Sequence, residues 1–386
     1  MKRNRIIYVS LWVLSLVGIS FFGGTVSYGF FTLLTLLPLV SFFYLLLVYF
    51  LFHIYQRIDV RVLTVNQPVT FHFTLANEYF LTFAGVRVRF YSDFSAVSGL
   101  DDETEYELLP KTEIKKETVL VCRYRGEYEV GIRQVETTDY FGLIRFSYRL
   151  PEKLRVLVKP QFVVLDNMRH IDINQVMRET KKNTSMPDAL ARPYVLGDDI
   201  RQIHWGLSAK CGEWMTREKI GEEKQGIGIV LETKRCSNDP KVFLPVENKM
   251  LELVLAIAYF LAGKGVLTCE YHYNGTLCEN RAERLQQLDG FYEAISAIEF
   301  RADNTQQRLF PALAEHRGVF GLQAAFFVVC EWGEGLRQTI GELAERNVYV
   351  IVYLVGAKKE KQELSMDLRR GQLVFVDPDA DIREVL

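Results

Sequence analysis

Two apolar stretches decide the first part of the fold: residues 6–22, IIYVSLWVLSLVGISFF, and residues 30–52, FFTLLTLLPLVSFFYLLLVYFLF. Residues 6–56 contain no Asp, Glu, Lys or Arg. As helices the two stretches would be about 25 Å and about 34 Å long, against a hydrocarbon core of about 30 Å. The turn-rich residues 23–29 separate them. The pattern predicts a membrane anchor over residues 1–56, a transmembrane helical hairpin with the lipid bilayer as its partner.

Positive charge indicates the orientation of this hairpin. Basic residues flank it on both sides: Lys2, Arg3, Arg5, Arg57 and Arg61. The positive-inside rule therefore puts both ends and the soluble domains in the cytoplasm, as in a multi-pass protein of the cell membrane. The alternative is a signal peptide with small residues near Gly23, although no A-x-A-like cleavage site follows the first stretch.

Composition excludes several classes of protein. The 386 residues carry 46 Lys and Arg against 48 Asp and Glu, a formal net charge of -2. A nucleic-acid protein that depends on phosphate contacts would have a strongly basic domain, so no nucleic-acid partner is expected. Six cysteines are too few for a disulfide scaffold. The hydrophobic fraction of 49% is too high for a disordered chain.

The segment after the anchor reads as short strands. Apolar and polar residues alternate with period two over residues 69–75, 86–91 and 117–124. Breakers such as Arg125-Gly126 separate these runs. Over residues 57–160 the pattern predicts a small antiparallel β-sandwich.

Residues 226–386 change to alternating strands and helices. A strand is predicted over residues 226–231 and a helix over residues 246–262, and Asn274-Gly275 predicts a hairpin turn. The later strands, Ala324–Cys330 and Val348–Val355, are continuously apolar. This predicts an α/β domain with a mostly parallel sheet covered on both faces.

The intervening linker, residues 161–225, contains a dense motif at 192–210, RPYVLGDDIRQIHWGLSAK. This motif resembles the signature of the domain of unknown function 58 family, and Asp139-Tyr140-Phe141-Gly142-Leu143 is a second family-like element. The signature positions are Arg192, Tyr194, Gly197, Asp198, Arg201, Ile203, Trp205, Ser208 and Ala209.

The resemblance implies an architecture and a set of partners. It implies a two-helix membrane anchor, a β-rich module and a C-terminal von Willebrand factor type A-like (Rossmann-like) domain. It also implies a non-enzymatic scaffold or adaptor that works with a MoxR-type AAA+ ATPase and a transglutaminase-like membrane protein in the assembly or activation of a protein complex. The signature itself has two interpretations, a buried network of ion pairs and hydrogen bonds or a contact surface for a protein partner.

Domains of the von Willebrand type often bind a divalent cation through Asp-x-Ser-x-Ser and later Thr and Asp residues. The corresponding residues here are Glu232, Lys234, Cys236, Thr305 and Glu331. A lysine and a thiol suit Mg²⁺ poorly. We therefore expect no metal at this position, with a divalent-cation-dependent ligand-binding protein as the alternative.

A second alternative is a hydrolase that uses Cys211 with His204. The sequence has no Walker A motif, no G-x-G-x-x-G after a strand and no H-E-x-x-H. We therefore expect neither a cofactor nor enzyme activity.

Overall fold

The computed structural model divides the chain into two compact units, Met1–Gln161 and Phe162–Leu386. It describes residues 2–99, 104–150, 152–169, 191–195, 203–217, 226–316, 322–346, 348–356 and 371–386. The predicted anchor and β-module both fall within unit 1. The predicted linker and α/β domain fall within unit 2, except for Gln161.

Unit 1 begins with two helices, α1 (Lys2–Phe22) and α2 (Thr25–Leu51), which are long and apolar enough to cross a membrane. The two apolar helices are therefore confirmed, but their predicted limits, 6–22 and 30–52, are too narrow at the start. Only Gly23 and Gly24, with φ values of 42° and 143°, interrupt the helices. The predicted seven-residue connection is wrong because the apolar residues after Gly24 continue α2.

Side chains join the two helices. The Tyr8 hydroxyl donates to the Leu34 carbonyl at 2.9 Å, and Trp12 Nε1 donates to Thr35 Oγ1 at 3.1 Å. The connection of only two residues makes the helices antiparallel, and these bonds place Tyr8 and Trp12 of α1 beside Leu34 and Thr35 of α2.

Eleven strands follow the helices within the described part of unit 1. They are β1 (His53–Ile58), β2 (Val62–Thr64), β3 (Pro68–Asn77), β4 (Phe83–Phe90), β5 (Ser95–Val97), β6 (Glu105–Leu108), β7 (Thr112–Cys122), β8 (Gly126–Val130), β9 (Ile132–Thr138), β10 (Arg145–Arg149) and β11 (Leu154–Lys159). They form sheets with the orders β1-β3-β7-β5, β10-β9-β4-β6 and β2-β11-β8. The pairs are antiparallel, as predicted for a sandwich-like module, except that β2 and β11 run parallel.

The core of the β-module follows the period-two pattern. Phe71, Phe73 and Leu75 on β3 are buried, and they belong to one cluster with Val86 of β4. Val48 of α2 is fully buried in the same cluster. The last turns of α2 are therefore part of the module's core.

Unit 2 contains two groups of elements in its described residues. The first group is β12 (Ala191–Pro193), α3 (Trp205–Cys211) and β13 (Met215–Arg217). The second is β14 (Ile227–Leu231), α4 (Pro240–Gly263), β15 (Thr268–Asn274), β16 (Thr276–Ala282), a short 3-10 helix (Leu285–Gln287), α5 (Leu288–Ser296), α6 (Gln306–Glu315), β17 (Ala324–Val329), α7 (Glu334–Glu345), β18 (Tyr349–Val355), β19 (Gly371–Val376) and α8 (Ile382–Val385).

The second group builds a six-stranded sheet in the order β16-β15-β14-β17-β18-β19. Only the edge strand β16 is antiparallel to its neighbour. Successive residues face opposite sides, since Ile229 packs in a cluster with α4, α5 and α8 while Val230 packs with α6 and α7. The predicted α/β layering, with helices on both faces of a mostly parallel sheet, is present.

Candidate functional site

The strand order of unit 2 places a topological switch point at one end of its sheet. Strand β14 comes first in the sequence, and its neighbours β15 and β17 lie on opposite sides of it. In such open α/β sheets ligands bind outside the carboxyl ends of the strands, where the direction of winding reverses. That position lies between β14 and β17, and Glu232, Cys330 and Glu331 follow those two strands directly. We call this end of the sheet the switch-point edge.

Glu232 is the central residue of the switch-point edge. Its side chain is fully buried, and its Oε2 accepts the backbone N–H of Cys330 at 2.9 Å. Its Oε1 is buried without a hydrogen-bond partner among the described residues. Burial raises the pKa of Glu232, against the lowering effect of the hydrogen bond from the Cys330 N–H.

Gln306, at the start of α6, supplies a second unpaired acceptor. Its Nε2 donates to the Glu331 carbonyl at 2.8 Å, while its buried Oε1 has no partner in the described part of the chain. Gly333 lies against this amide, and a Cβ there would collide with Gln306 Oε1. Sequence reasoning missed Gln306; its position next to Thr305 is the signal that could have indicated it.

Lys234 and Glu331 close the switch-point edge on its solvent side. Lys234 Nζ lies 2.7 Å and 2.8 Å from the two carboxylate oxygens of Glu331. This hydrogen bond is the main reason that the pKa of Lys234 is raised. Just before Lys234, Thr233 donates to the Tyr273 carbonyl at 2.6 Å and accepts from Asn304 at 3.1 Å. These bonds fix the segment that follows β14.

The switch-point edge does not fit a divalent cation. The Lys234 ammonium pairs with both oxygens of Glu331, so this candidate carboxylate already holds a cation. Thr305 caps α6 only through its backbone. No group of three or more His, Cys, Asp and Glu side chains in the described ranges is placed to hold a metal ion.

Two thiols lie near the same edge, Cys236 and Cys330. Burial raises the pKa of both, and the nearby Glu232 carboxylate raises them further. A reactive cysteine needs a lowered pKa, because the thiolate is the nucleophile. The environment of these thiols therefore favours the protonated, unreactive form.

The signature segment is described in part. Gly197, Asp198 and Arg201 lie outside the described residues, so the predicted ion network cannot be placed. Arg192 lies on β12, where its backbone pairs with Thr216.

The remaining signature residues form a small antiparallel unit. Ile203 is buried and bridges Thr216. The Tyr194 N–H donates to the Trp214 carbonyl at 2.7 Å, and their rings are 5.7 Å apart. Ser208 Oγ donates to the His204 carbonyl at 3.0 Å and accepts from Met215 N at 2.9 Å, which joins α3 to β13.

Two exposed indoles, Trp205 and Trp214, stand on this small unit, and Ala209 is exposed near them. Trp214 lies outside the predicted signature, and its pairing with Tyr194 could not be read from spacing.

The predicted pair His204 and Cys211 occupies opposite ends of α3. His204 is the N-cap and accepts from Leu207 N at 3.2 Å, whereas Cys211 is the last helical residue. Seven residues span about 10 Å of helix axis. A nucleophile and its base need a separation of about 3 Å, so this geometry does not support the hydrolase alternative.

Comparisons with known proteins add little to this geometry. No family model matches the chain, and no curated protein matches it. A Salmonella alpha-2-macroglobulin is 10% identical with a TM-score of 0.21, over 36% of this chain and 9% of that protein. The sporulation control protein Spo0M of Bacillus subtilis is 12% identical with a TM-score of 0.19, over 37% of this chain and 57% of that one. A Clostridium perfringens cohesin module is 8% identical with a TM-score of 0.16, over 28% and 96% respectively. At these TM-scores the similarities carry no argument about fold or function.

Proposed function

We propose that the protein is a membrane-anchored scaffold or adaptor whose C-terminal domain is von Willebrand factor type A-like and binds a protein partner in the cytoplasm. The partner implied by the family resemblance is a MoxR-type AAA+ ATPase, with a transglutaminase-like membrane protein in the same assembly. The family assignment rests on the signature residues, and the orientation rests on the basic residues Lys2, Arg3 and Arg5.

One observation carries the proposal: the switch-point edge has two buried acceptors without donors, Glu232 Oε1 and Gln306 Oε1. Buried polar groups in native proteins are nearly always hydrogen-bonded, so these atoms call for a donor from outside the described residues. An Arg or Lys side chain, or a backbone amide, of a docking protein would supply such a donor once the edge opens to admit it. A divalent cation is a poorer candidate because Lys234 already places a positive charge at Glu331.

The exposed indoles of the signature segment support a protein partner as well. Trp, Tyr and Arg are enriched in the residues that dominate binding energy at protein interfaces. Trp205 belongs to the signature and Trp214 packs against its Tyr194, and both indoles are solvent-exposed. They favour the contact-surface interpretation of the signature for this half of the motif.

A pull-down from membranes tests the proposal. The tagged full chain is the bait, a non-hydrolysable ATP analogue traps AAA+ ATPases, and recovered proteins are identified by mass spectrometry. The same experiment uses Lys234→Glu at the switch-point edge and, as matched control, Lys264→Glu. Lys264 is an exposed lysine that follows α4 at the opposite end of the sheet.

We expect wild type and Lys264→Glu to recover a MoxR-type ATPase, and Lys234→Glu to recover several-fold less. Failure of wild type to recover any AAA+ ATPase would contradict the proposed partner. Equal recovery with all three baits would contradict the switch-point edge as the binding surface.

A further inference from the structure

We propose that the β-module carries a second membrane-contacting surface, formed by four aromatic residues on two loops. These residues, Tyr79, Phe80, Tyr140 and Phe141, are called the aromatic rim. The rim lies in the headgroup layer of the bilayer that α1 and α2 cross. The inference rests on the membrane anchoring proposed above and adds a contact that the two helices do not provide.

The aromatic rim is exposed to an unusual degree. Phe80 is 83% exposed, Tyr140 55% and Phe141 54%. The Tyr140 hydroxyl donates to the Thr82 carbonyl, so the two exposed aromatic pairs lie on neighbouring loops. Exposed apolar side chains gathered in this way mark an interaction site on a soluble surface. Tyrosine and other amphipathic aromatic side chains are enriched where proteins meet the membrane–water interface.

The first rim loop is tied to α2. The Tyr44 hydroxyl donates to the Thr82 carbonyl at 2.9 Å, and the Tyr140 hydroxyl donates to the same oxygen at 2.8 Å. The rings of Tyr44 and Tyr140 are 4.9 Å apart. Asn77 Nδ2 donates to the Leu81 carbonyl at 2.7 Å. These bonds hold both aromatic pairs beside one point of α2.

The second rim loop is tied to both helices. Asp139 accepts from Ser41 Oγ at 3.1 Å on α2. On α1, Asn4 Nδ2 donates to the Phe141 carbonyl at 2.9 Å and Arg5 Nε donates to the Leu143 carbonyl at 2.8 Å. The rim therefore lies level with the basic start of α1.

The lengths of α1 and α2 place the aromatic rim at the boundary of the hydrocarbon core. About 20 helical residues cross a hydrocarbon core of about 30 Å. Counted from Thr25, the twentieth residue of α2 is Tyr44; counted back from Phe22, the twentieth residue of α1 is Arg3. Tyr44 is the residue that holds the first rim loop, so the rim meets the bilayer where the hydrocarbon ends.

The last turns of α2 carry an exposed apolar strip beyond Tyr44. Leu45 and Val48 are buried, Val48 in the core cluster of the β-module, but other side chains of these turns remain exposed and apolar. The exposed ones are Phe42, Phe43, Leu46, Leu47 and Phe50. This strip continues the lipid-facing surface of α2 past Tyr44. With headgroups a bilayer is about 40–45 Å thick, and α2 as a helix of 27 residues is about 40 Å long. Continuity with the helix surface therefore favours lipid over protein as the occupant.

Site-specific photocrosslinking tests the inference on the full chain reconstituted in vesicles of phosphatidylcholine and phosphatidylglycerol. The photoreactive residue p-benzoylphenylalanine replaces Phe80 or Phe141 in the rim. Leu33, exposed on α2, is the position that reports membrane anchoring itself. Val119 is the matched control, because it is exposed on β7 about 24 Å along the strand from Thr112, where β7 begins beside the first rim loop.

We expect lipid adducts at positions 33, 80 and 141, and several-fold less lipid adduct at position 119. Adducts at position 33 without adducts at 80 and 141 would overturn the rim and leave the anchor intact. No lipid adduct at position 33 would overturn the membrane anchoring and the rim with it. Crosslinks from 80 and 141 to a second copy of the chain, or equal lipid labelling at 119, would also overturn the rim.

Discussion

Two buried carboxylates, one in each unit, differ in the number of hydrogen bonds that they accept. Asp139 in unit 1 accepts three hydrogen bonds, from Ser41 Oγ at 3.1 Å, from Phe141 N at 3.3 Å and from Ile144 N at 2.7 Å. Glu232 in unit 2 accepts the Cys330 N–H, but its second oxygen has no partner in the described residues. Both side chains are almost completely removed from solvent.

This difference in hydrogen bonding distinguishes a carboxylate that stabilises the fold from one that could bind a partner. A buried carboxylate whose two oxygens both accept hydrogen bonds fixes the parts of the chain that donate to it, and here Asp139 joins α2 to the turn after β9. A buried oxygen without a donor costs free energy in the isolated protein. Such a cost is typical of functional sites, where a ligand supplies the missing group. Under the proposed function, Asp139 is a structural residue and Glu232 is a binding residue.

The largest expected effect is that of Asp139→Ala. The substitution leaves the Ser41 hydroxyl and two backbone N–H groups without their acceptor, and hydrogen bonds to charged groups are worth about 1.5–3 kcal/mol each. We expect the free energy of unfolding of unit 1 to fall by about 3 kcal/mol or more. The measurement is the urea midpoint of the full chain in detergent micelles.

Asp59→Ala is the matched control, since Asp59 is exposed and, among the described residues, is held by a 3.6 Å ion pair with His72. It should change stability by less than about 0.5 kcal/mol. Equal midpoints for wild type and Asp139→Ala would contradict the structural role of Asp139.

Glu232→Gln should increase stability, whereas Asp139→Ala decreases it. The amide keeps an acceptor for Cys330 N–H and adds a donor for Gln306 Oε1, so it relieves a penalty of about 1–3 kcal/mol for an unpaired buried group. We expect a higher melting temperature at pH 8 and a lower recovery of the protein partner. Glu345→Gln, an exposed residue at the end of α7, is the control that should change neither.

The pH dependence of this gain follows from the raised pKa of Glu232. An unfolded glutamate has a pKa of about 4.3. Because the folded pKa is higher, the folded chain holds the proton more tightly. The stability contribution of Glu232 is therefore complete below about pH 4 and is lost as pH rises through the folded pKa. The advantage of Glu232→Gln in melting temperature should thus grow from pH 5 to pH 8. If the difference in melting temperature between Glu232→Gln and wild type does not change with pH, the pKa of Glu232 is not raised by its burial.

Sequence patterns predicted most elements around these two carboxylates. The apolar run that ends at Leu231 predicts β14, and Asn274-Gly275 predicts the turn where Asn274 pairs with Thr276. The start of α4 was missed, because the prediction from Val246 relied on apolar spacing. Asp239, whose side chain accepts from Lys241 N, caps the helix earlier, with Pro240 in its first turn.

The two sites were less predictable than the elements. The sequence indicates Glu232 only as a poor metal position, since the period of a strand does not show which following side chain turns inward. The pairing of Lys234 with Glu331 joins residues 97 positions apart. Asp139 was noted as part of a family-like element, but its bond to Ser41 depends on how α2 packs on the β-module. Long-range contacts of this kind have no local sequence signal.

Ser41→Ala tests the structural role of Asp139 with a smaller change. It removes one of the three donors to Asp139 and leaves the two backbone donors in place. We expect a loss of about 1 kcal/mol in the free energy of unfolding, since one hydrogen bond of a shared set is removed. The measurement is the urea midpoint in detergent. Ser20→Ala, at an exposed position of α1, is the control with no expected change. A loss as large as that of Asp139→Ala would place the cost in the helix contact and not in the carboxylate.

The smallest expected effect on stability is that of Lys234→Met, which removes the ion pair with Glu331. The two side chains are 27% and 49% exposed, so solvent screens the pair and its loss should cost about 0.5 kcal/mol or less. Partner recovery should nevertheless fall several-fold, because the edge loses its charge pattern while its fold stays intact. Thermal melting and the pull-down on the same preparation check both parts. A large loss of stability with unchanged recovery would make Lys234 structural, and the switch-point edge would then resemble the Asp139 site. Unchanged stability with reduced recovery would support the switch-point edge of unit 2 as a binding surface. The contrast with Asp139, which stabilises unit 1, would then hold.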